Sequence, residues 1–423
     1  MFKDLFRKET FSWAIYDWAN SAFSTSIIAG FFPIFFKSYW NQGVDAATST
    51  ARLGFTNAIA SFVIAVLAPF LGALADEAGA KKKFLFWGVL LGSFATLAFA
   101  LIGEGGWMWA SGCYVFTLIA FAVTVLFYDA LLPSVSTPQN VDFVSAGGYA
   151  LGYLGGGVLL LLNVMMFQKP EVWGLADKVV AVKASFVSVG AWWFLFSLPL
   201  FFFVKEPYAK REQPFGVLFR KTLRELSGTF SRLFRMKEVF YFMLAYCLYI
   251  DGVHTIIKMA VDFGVSIGFQ TSDLIKALLI VQFVGFPAGF LFGYLGQKWD
   301  VKKSILIGIA CYVVVVFWAI RMQTVQEFFM MATLIGLVQG CVQALSRSLY
   351  TRLIPKEHAG EFFGFYNLAG KAASVLGPTL VGVVTYMSGS NRWGISSLLI
   401  LLVSGGSILL FKVKNPQPAL GSP

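Results

Sequence analysis

Gly72-Ala-Leu-Ala-Asp76-Glu-Ala-Gly79-Ala-Lys81-Lys-Lys83 joins two long apolar runs, and a weaker copy returns as Gly293-Tyr-Leu-Gly-Gln297-Lys-Trp-Asp300-Val-Lys302-Lys303. Both copies end one apolar segment, place two lysines at the same offset from the leading glycine, and open the next segment. A helix-loop-helix duplicated at this distance points to two homologous halves, the build of a protein whose central site is exposed to alternate sides of a membrane.

Composition carries the same message. With 57% hydrophobic, 17% aromatic and only 13% charged residues, and mean hydropathy +0.72, the chain has too little polar surface to cover a soluble globule of 423 residues. A helix needs roughly 20 apolar residues to cross the hydrocarbon. Twelve segments qualify, near 12–36, 53–75, 84–102, 108–132, 144–167, 184–204, 239–261, 274–297, 304–321, 327–350, 362–387 and 394–412. The expected fold is therefore an all-α membrane protein of twelve transmembrane helices in two six-helix bundles. Its expected divisions are 1–204, a cytoplasmic linker 205–238, and 239–423.

The first segment is too long for a signal peptide, carries Asp17 and Asn20, and lacks a small-residue cleavage site, so it is expected to stay on the protein. Cys113, Cys247, Cys311 and Cys341 fall within helices without ligand spacing, which argues against disulfides, metal sites and other cofactors. With a cytoplasmic amino terminus, the cytoplasmic segments hold about 23 of the 33 basic residues, which places both termini in the cytoplasm. The net charge of +11 is then a topological signal rather than a nucleic-acid footprint. Between the halves, Phe215, Leu218, Phe219, Leu223, Leu226, Phe230, Leu233 and Phe234 recur at helical spacing, with Arg220, Lys221, Arg224, Arg232 and Arg235 largely elsewhere on the wheel. That pattern predicts an amphipathic helix on the inner leaflet, in contact with membrane lipids. Gly148, Gly152 and Gly156, and again Gly285, Gly289 and Gly293, form stripes for close helix packing.

A second trace of duplication matches Asp129-Ala-Leu-Leu-Pro133 with Thr351-Arg-Leu-Ile-Pro355. The Gly72 to Lys83 run resembles the loop signature of the major facilitator superfamily, Gly-x-x-x-Asp-x-x-Gly-x-Lys/Arg-Lys/Arg. Tyr16-Asp17-Trp18-Ala19-Asn20-Ser21 is similar to a signature of the vacuolar amino-acid effluxer-like, autophagy-related family, which has bacterial members. Phe127-Tyr-Asp-Ala-Leu-Leu-Pro133, Gly148 to Gly156, Gln339 to Ser348 and Phe363-Gly-Phe-Tyr-Asn367 look similar to it as well. The resemblance implies a monomeric major facilitator transporter, with the first, fourth, seventh and tenth helices lining a cavity, and amino-acid efflux as the activity. It implies a bacterial inner membrane, or a vacuolar membrane in a eukaryote. The second loop copy departs from the signature at Gln297 and Asp300, so a conformational switch built on Gly72, Asp76 and Gly79 should rest on the first copy.

Charges at mid-bilayer are costly, so those that persist line a pathway or pair with one another. Asp17 and Asn20 share a face of the first helix, and Asp251, His254 and Lys258 share a face of the seventh. The ordinary pKa of a histidine, near 6.5, suits proton movement, so Asp17, Asp251, His254 and Lys258 are the proton-coupling candidates. Gln339 and Gln343 on the tenth helix, Asn367 and Lys371 on the eleventh, and Asn20 offer amides and an amine that could hold a small zwitterion by both its charges. Asp129 and Arg347 lie at comparable depth on helices of opposite halves, the arrangement of a gate. Asp76 is expected to meet a helix amino terminus or a basic side chain, and Lys81 to Lys83 to meet anionic headgroups. Rival readings are a lipid or drug exporter, a membrane-embedded enzyme and a nutrient sensor. No His-Glu-x-x-His, Gly-x-Ser-x-Gly or Gly-x-x-x-x-Gly-Lys-Ser/Thr occurs, which disfavours an enzyme or a built-in ATP motor.

Overall fold

The computed structural model describes residues 2–206, 221, 222, 228, 233, 235–266, 268–373 and 376–414. Most of the expected interfacial helix, and the side chain of Lys371, lie outside the described residues. No strand occurs among the described residues. The helices are α1 (Lys8–Trp40), α2 (Ala46–Ala78), α3 (Lys81–Ala98), α4 (Trp107–Val135), α5 (Val141–Gln168) and α6 (Lys178–Phe203). They continue as α7 (Lys237–Ser266), α8 (Thr271–Lys298), α9 (Val301–Arg321), α10 (Val325–Leu353), α11a (Ala359–Ala373), α11b (Leu376–Ser388) and α12 (Asn391–Lys412). Eleven helices among the described residues are long and apolar enough to cross a membrane. The expected eleventh span is described as α11a and α11b, with residues 374 and 375 between them outside the described residues.

Local chemistry sets the helix ends. Asp45, Asp177 and Asp300 accept from Thr48, Val180 and Lys303 amides at the starts of α2, α6 and α9, and Thr324 with Glu327 forms a capping box for α10. Gly79 ends α2 at φ 59°, in the left-handed region that glycine alone enters without penalty. Pro69, Pro133, Pro199 and Pro287 sit inside helices, as membrane helices tolerate when neighbours satisfy the freed backbone. Helix α1 is π-helical over Phe23–Phe31 and Phe36–Trp40, which the sequence did not announce.

Buried apolar residues form two clusters. One runs from Leu5 to Val204 and the other, apart from Ala130, from Leu233 to Val413. Across the halves, α5 packs on α8 and α10, α2 packs on α11a, and α4 touches α10 and α11a. The glycine stripes explain the closeness. A Cβ on Gly285 or Gly289 of α8 would come 2.9 Å from Tyr153 or Ala150 of α5, and one on Gly148 or Gly152 of α5 would come 2.6 Å from Tyr128 or Ser21. Helix α5 is thus clasped between α1 and α8.

Candidate functional site

The end of the fold that carries the lysine-rich loop, hereafter the basic end, is where charges from the two halves meet. Arg347 on α10 is 2% exposed, and the polar partners of its side chain among the described residues come from the first half. Its Nη1 donates to Asp129 Oδ1 at 2.8 Å, its Nε to Ser145 Oγ at 2.9 Å and its Nη2 to the Ser145 carbonyl at 2.9 Å. Asp17 Oδ2 stands 3.7 Å from Nη2. The guanidinium lies 5.0, 5.2 and 4.5 Å from the ring centroids of Trp13, Tyr128 and Tyr149, within cation–π range. Tyr128 donates to Asp17 Oδ2 at 2.7 Å, and Trp13 Nε1 donates to the Tyr128 carbonyl at 2.9 Å. The cation is thereby gripped by α1, α4 and α5 at once. Removing one partner of such a buried, hydrogen-bonded set leaves an uncompensated charge.

Asp76 forms a second junction. Its Oδ1 and Oδ2 accept from the Gly360 and Glu361 amides at 3.1 and 2.7 Å, at the amino terminus of α11a, where exposed N–H groups and the helix dipole favour an anion. Lys81 Nζ stands 2.7 Å from the same carboxylate. The junction closes because Gly72 meets Gly360 backbone to backbone; a Cβ on Gly72 would lie 2.2 Å from the Gly360 carbonyl oxygen. In the second loop copy, Gln297 donates instead to the Gln139 carbonyl just before α5. Asp142, in the first turn of α5, pairs with Arg352 and accepts from Ser348.

The lysine anchor needs correction. Lys81 is spent on Asp76, and Lys82 Nζ donates to the Phe201 and Val204 carbonyls at the carboxyl end of α6. Lys302 does the same for Leu410 and Val413 at the end of α12. Unsatisfied carbonyls at a helix end attract cations more firmly than headgroups across water do. Lys83 alone of the three is exposed. Glu206 accepts from the Lys81 and Lys82 amides and so caps α3 from outside its own helix.

On α7, Asp251 is fully buried and accepts from the Gly377 amide at 2.6 Å and from Thr255 Oγ1 at 3.3 Å. Its carboxylate therefore ties α7 to α11b through the Gly377 amide. His254 is partly exposed and Lys258 exposed. Asp251→Ala is expected to strand the Gly377 amide and lower stability by about 1–3 kcal/mol, while Asp251→Asn, which keeps an acceptor oxygen, stays near the parent. Thermal unfolding of the two purified variants in one detergent checks the difference.

The substrate candidates are not joined to one another by any recorded bond. Asn20 is buried beside Tyr16, Gln339 is partly buried beside Tyr153, Gln343 is partly buried, and Asn367 donates to its own helix at the Phe363 carbonyl. Sequence reasoning passed over Ser145, Tyr128, Tyr149 and Trp13. Tyr128 and Tyr149 do lie in stretches that resemble the family, Phe127 to Pro133 and Gly148 to Gly156, but nothing in those stretches says that they face a cation.

The family described as vacuole effluxer Atg22 like has a sequence model that matches residues 6–417. A Bacillus subtilis (strain 168) relative, the uncharacterized MFS-type transporter YxiO, is 38% identical over 408 residues, spanning 96% of this chain and 95% of that protein. Autophagy-related protein 22 of Eremothecium gossypii is 22% identical over 471 aligned positions, spanning 97% and 91%. Among solved structures, the proton:xylose symporter XylE superposes with TM-score 0.73 at 11% identity, covering 97% of this chain and 95% of that one. The human organic anion transporter MFSD10 (TETRAN) gives 0.71 at 13% identity, covering 95% and 99%. These two likenesses show the fold alone.

Proposed function

The chain belongs to the vacuole effluxer Atg22-like family and is a multi-pass transporter of the major facilitator type, a premise from which we propose that it exports a small zwitterionic or amino-acid-like solute by alternating access, driven by protons. One observation carries this reading: a buried arginine of the second half is held by polar and aromatic groups of the first half at one end of the fold. Those bonds exist only while that end is shut, so they bias the equilibrium between two arrangements of the halves. Residues 1–204 and 239–423 are the two bodies that rock. Asp129 with Arg347 is the gate, and Gly72, Asp76 and Gly79 with the start of α11a form the switch.

The basic end is cytoplasmic under this proposal, in agreement with the lysine and arginine count, and the identity to a bacterial relative favours a bacterial cytoplasmic membrane. Export follows the family's description as effluxers. Asn20, Gln339, Gln343, Asn367 and Lys371 supply the donors and acceptors for a zwitterion, and the buried carboxylates Asp17 and Asp251, with His254 beside the latter, are the coupling candidates. A lipid or drug exporter of the same fold is the nearest rival.

A thermal-shift screen against amino acids, short peptides, sugars and lipids tests the substrate class, since a ligand that prefers the folded state raises the melting temperature. Amino acids are expected to stabilise. Single alanine substitutions at Asn20, Gln339, Gln343 or Lys371 are then expected to weaken that binding by about tenfold each, the worth of one hydrogen bond to a charged group, with expression and helicity preserved. Unchanged affinity in all four moves the site elsewhere, and stabilisation by lipids alone favours the rival.

A further inference from the structure

Two carboxyl groups face one guanidinium at the gate. Asp17, Asp129 and Arg347 are 8%, 4% and 2% exposed, and among the described residues Arg347 is the only cation recorded in contact with either acid. Two further cations at this end, Lys81 and Arg352, are engaged by Asp76 and Asp142. With both acids ionised, the cluster would hold an uncompensated negative charge in a water-poor interior, which is a costly arrangement.

The other groups around Asp17 do not supply the missing charge. Tyr16 stands on its own helix, Tyr128 and Asp129 on α4, Tyr149 and Tyr153 on α5, and Arg347 on α10. On α6, Trp192 donates to the Trp18 carbonyl and Trp193 to Tyr16, and Phe186, Phe196 and Phe203, which also contact α1, carry no charge. A metal ion needs several oxygen ligands. Around Asp17 the recorded neighbours are instead a donating hydroxyl, a guanidinium and a cage of aromatic rings, and no group of three or more His, Cys, Asp or Glu able to hold a metal occurs among the described residues. A proton needs no such shell.

We propose that the gate cluster takes up one proton when the basic end closes, that Asp17 carries it while Arg347 serves Asp129, and that the proton leaves when the end opens. The proposal rests on the alternating-access reading and names the coupling site within it. Geometry selects Asp17: Asp129 has the 2.8 Å bond to Arg347, whereas Asp17 stands 3.7 Å away and is held by the Tyr128 hydroxyl. Asp251 is the weaker candidate, since its carboxylate is already satisfied by the Gly377 amide and Thr255. On opening, Arg347 departs with α10, Asp17 and Asp129 stay on α1 and α4 facing water, and the proton passes to bulk water at the basic end. Once the basic end is shut, Asp17 takes its next proton from the opposite side of the membrane, so each cycle carries one proton toward the basic end, and at equal pH on both sides acid favours the closed form. The linkage is at most tenfold in the closed-to-open ratio per pH unit.

The test uses the full chain in lipid nanodiscs, with its four native cysteines replaced by alanine and spin labels on Lys83→Cys and Lys303→Cys, exposed positions in the first turns of α3 and α9. Between pH 5.5 and 8 the label-to-label distance is expected to lengthen as the closed fraction falls. In Asp17→Asn, which keeps an acceptor for Tyr128 and removes the titrating group, the distance is expected to stay short at every pH, while Asp251→Asn keeps the parental pH response. Retention of the full response by Asp17→Asn, or its loss in Asp251→Asn, overturns the assignment to Asp17. A shift driven by sodium at constant pH overturns the proton. If the distance changes with neither pH, sodium nor the amino acids that stabilise the protein, the alternating-access reading itself fails.

Discussion

Arg347→Gln is expected to empty the state that is closed at the basic end. The side chain bonds to Asp129 and to Ser145 twice, and stands near Asp17 and three aromatic rings, all on the opposite half. A glutamine reaches one of these partners at best and leaves two carboxyl groups in a buried site with no cation. Breaking a buried ion pair from one side costs about 3–5 kcal/mol, and the cost falls only on the closed form, because in the open form Asp129 and Asp17 face water. The closed-to-open ratio should therefore drop by about 100-fold or more, and turnover should fall with it. Arg347→Lys keeps the charge but loses the forked geometry that serves Asp129 and Ser145 together, so an intermediate result is expected. Reaction of a cysteine at Ala344, a buried position whose carbonyl accepts from Ser145, with a membrane-impermeant maleimide added at the basic end reports the opening. Parental protection of that cysteine in Arg347→Gln, together with parental turnover, would show that the cluster is only a packing feature.

The parts of this arrangement that could be read from the sequence are those written in local rules. Twelve apolar runs, Gly79 before a lysine cluster and a repeated loop specify an all-helical membrane fold, because hydrophobic length and helix-ending glycine act over a few residues. Asp129 and Arg347 could be paired on paper because equal depth on helices of opposite halves needs only counting. The surroundings of Arg347 could not. Whether Ser145, Tyr128, Tyr149 or Trp13 faces a cation depends on how α4, α5 and α1 are rotated about their axes, and tens of degrees of rotation exchange one residue for its neighbour. The headgroup reading of Lys82 fails because its true acceptors, backbone carbonyls at the end of α6, leave no mark in the sequence. The π-helical turns of α1 have no residue-level account.

Gly72→Ala is expected to act on the same equilibrium without touching a charge. The new Cβ would fall 2.2 Å from the Gly360 carbonyl oxygen, 2.7 Å from its carbon and 3.2 Å from Glu361 Cα. All three are backbone atoms, so none can swing aside, and a carbon needs roughly 3.3 Å from a carbonyl oxygen. Helices α2 and α11a must therefore separate by about 1 Å, which stretches both amide bonds to Asp76. Overpacking costs about 1–3 kcal/mol, and weakening two hydrogen bonds to a charged group adds a comparable amount. A shift toward the open form of about 100-fold is the expected sum. The two helices belong to different halves, so neither half loses packing of its own, and expression and helicity should match the parent. Gly382→Ala on α11b, where nothing lies within 4 Å of the added carbon, is the matched control and should change nothing. Gly72 sits at the α2–α11a contact and Arg347 at the junction of α10 with α4 and α5, with no recorded partner in common, so the two substitutions should add in free energy. The Lys83–Lys303 label distance measures both on one scale. If Gly72→Ala keeps the parental distance and turnover, the close approach of these backbones is not part of any state through which the transporter passes.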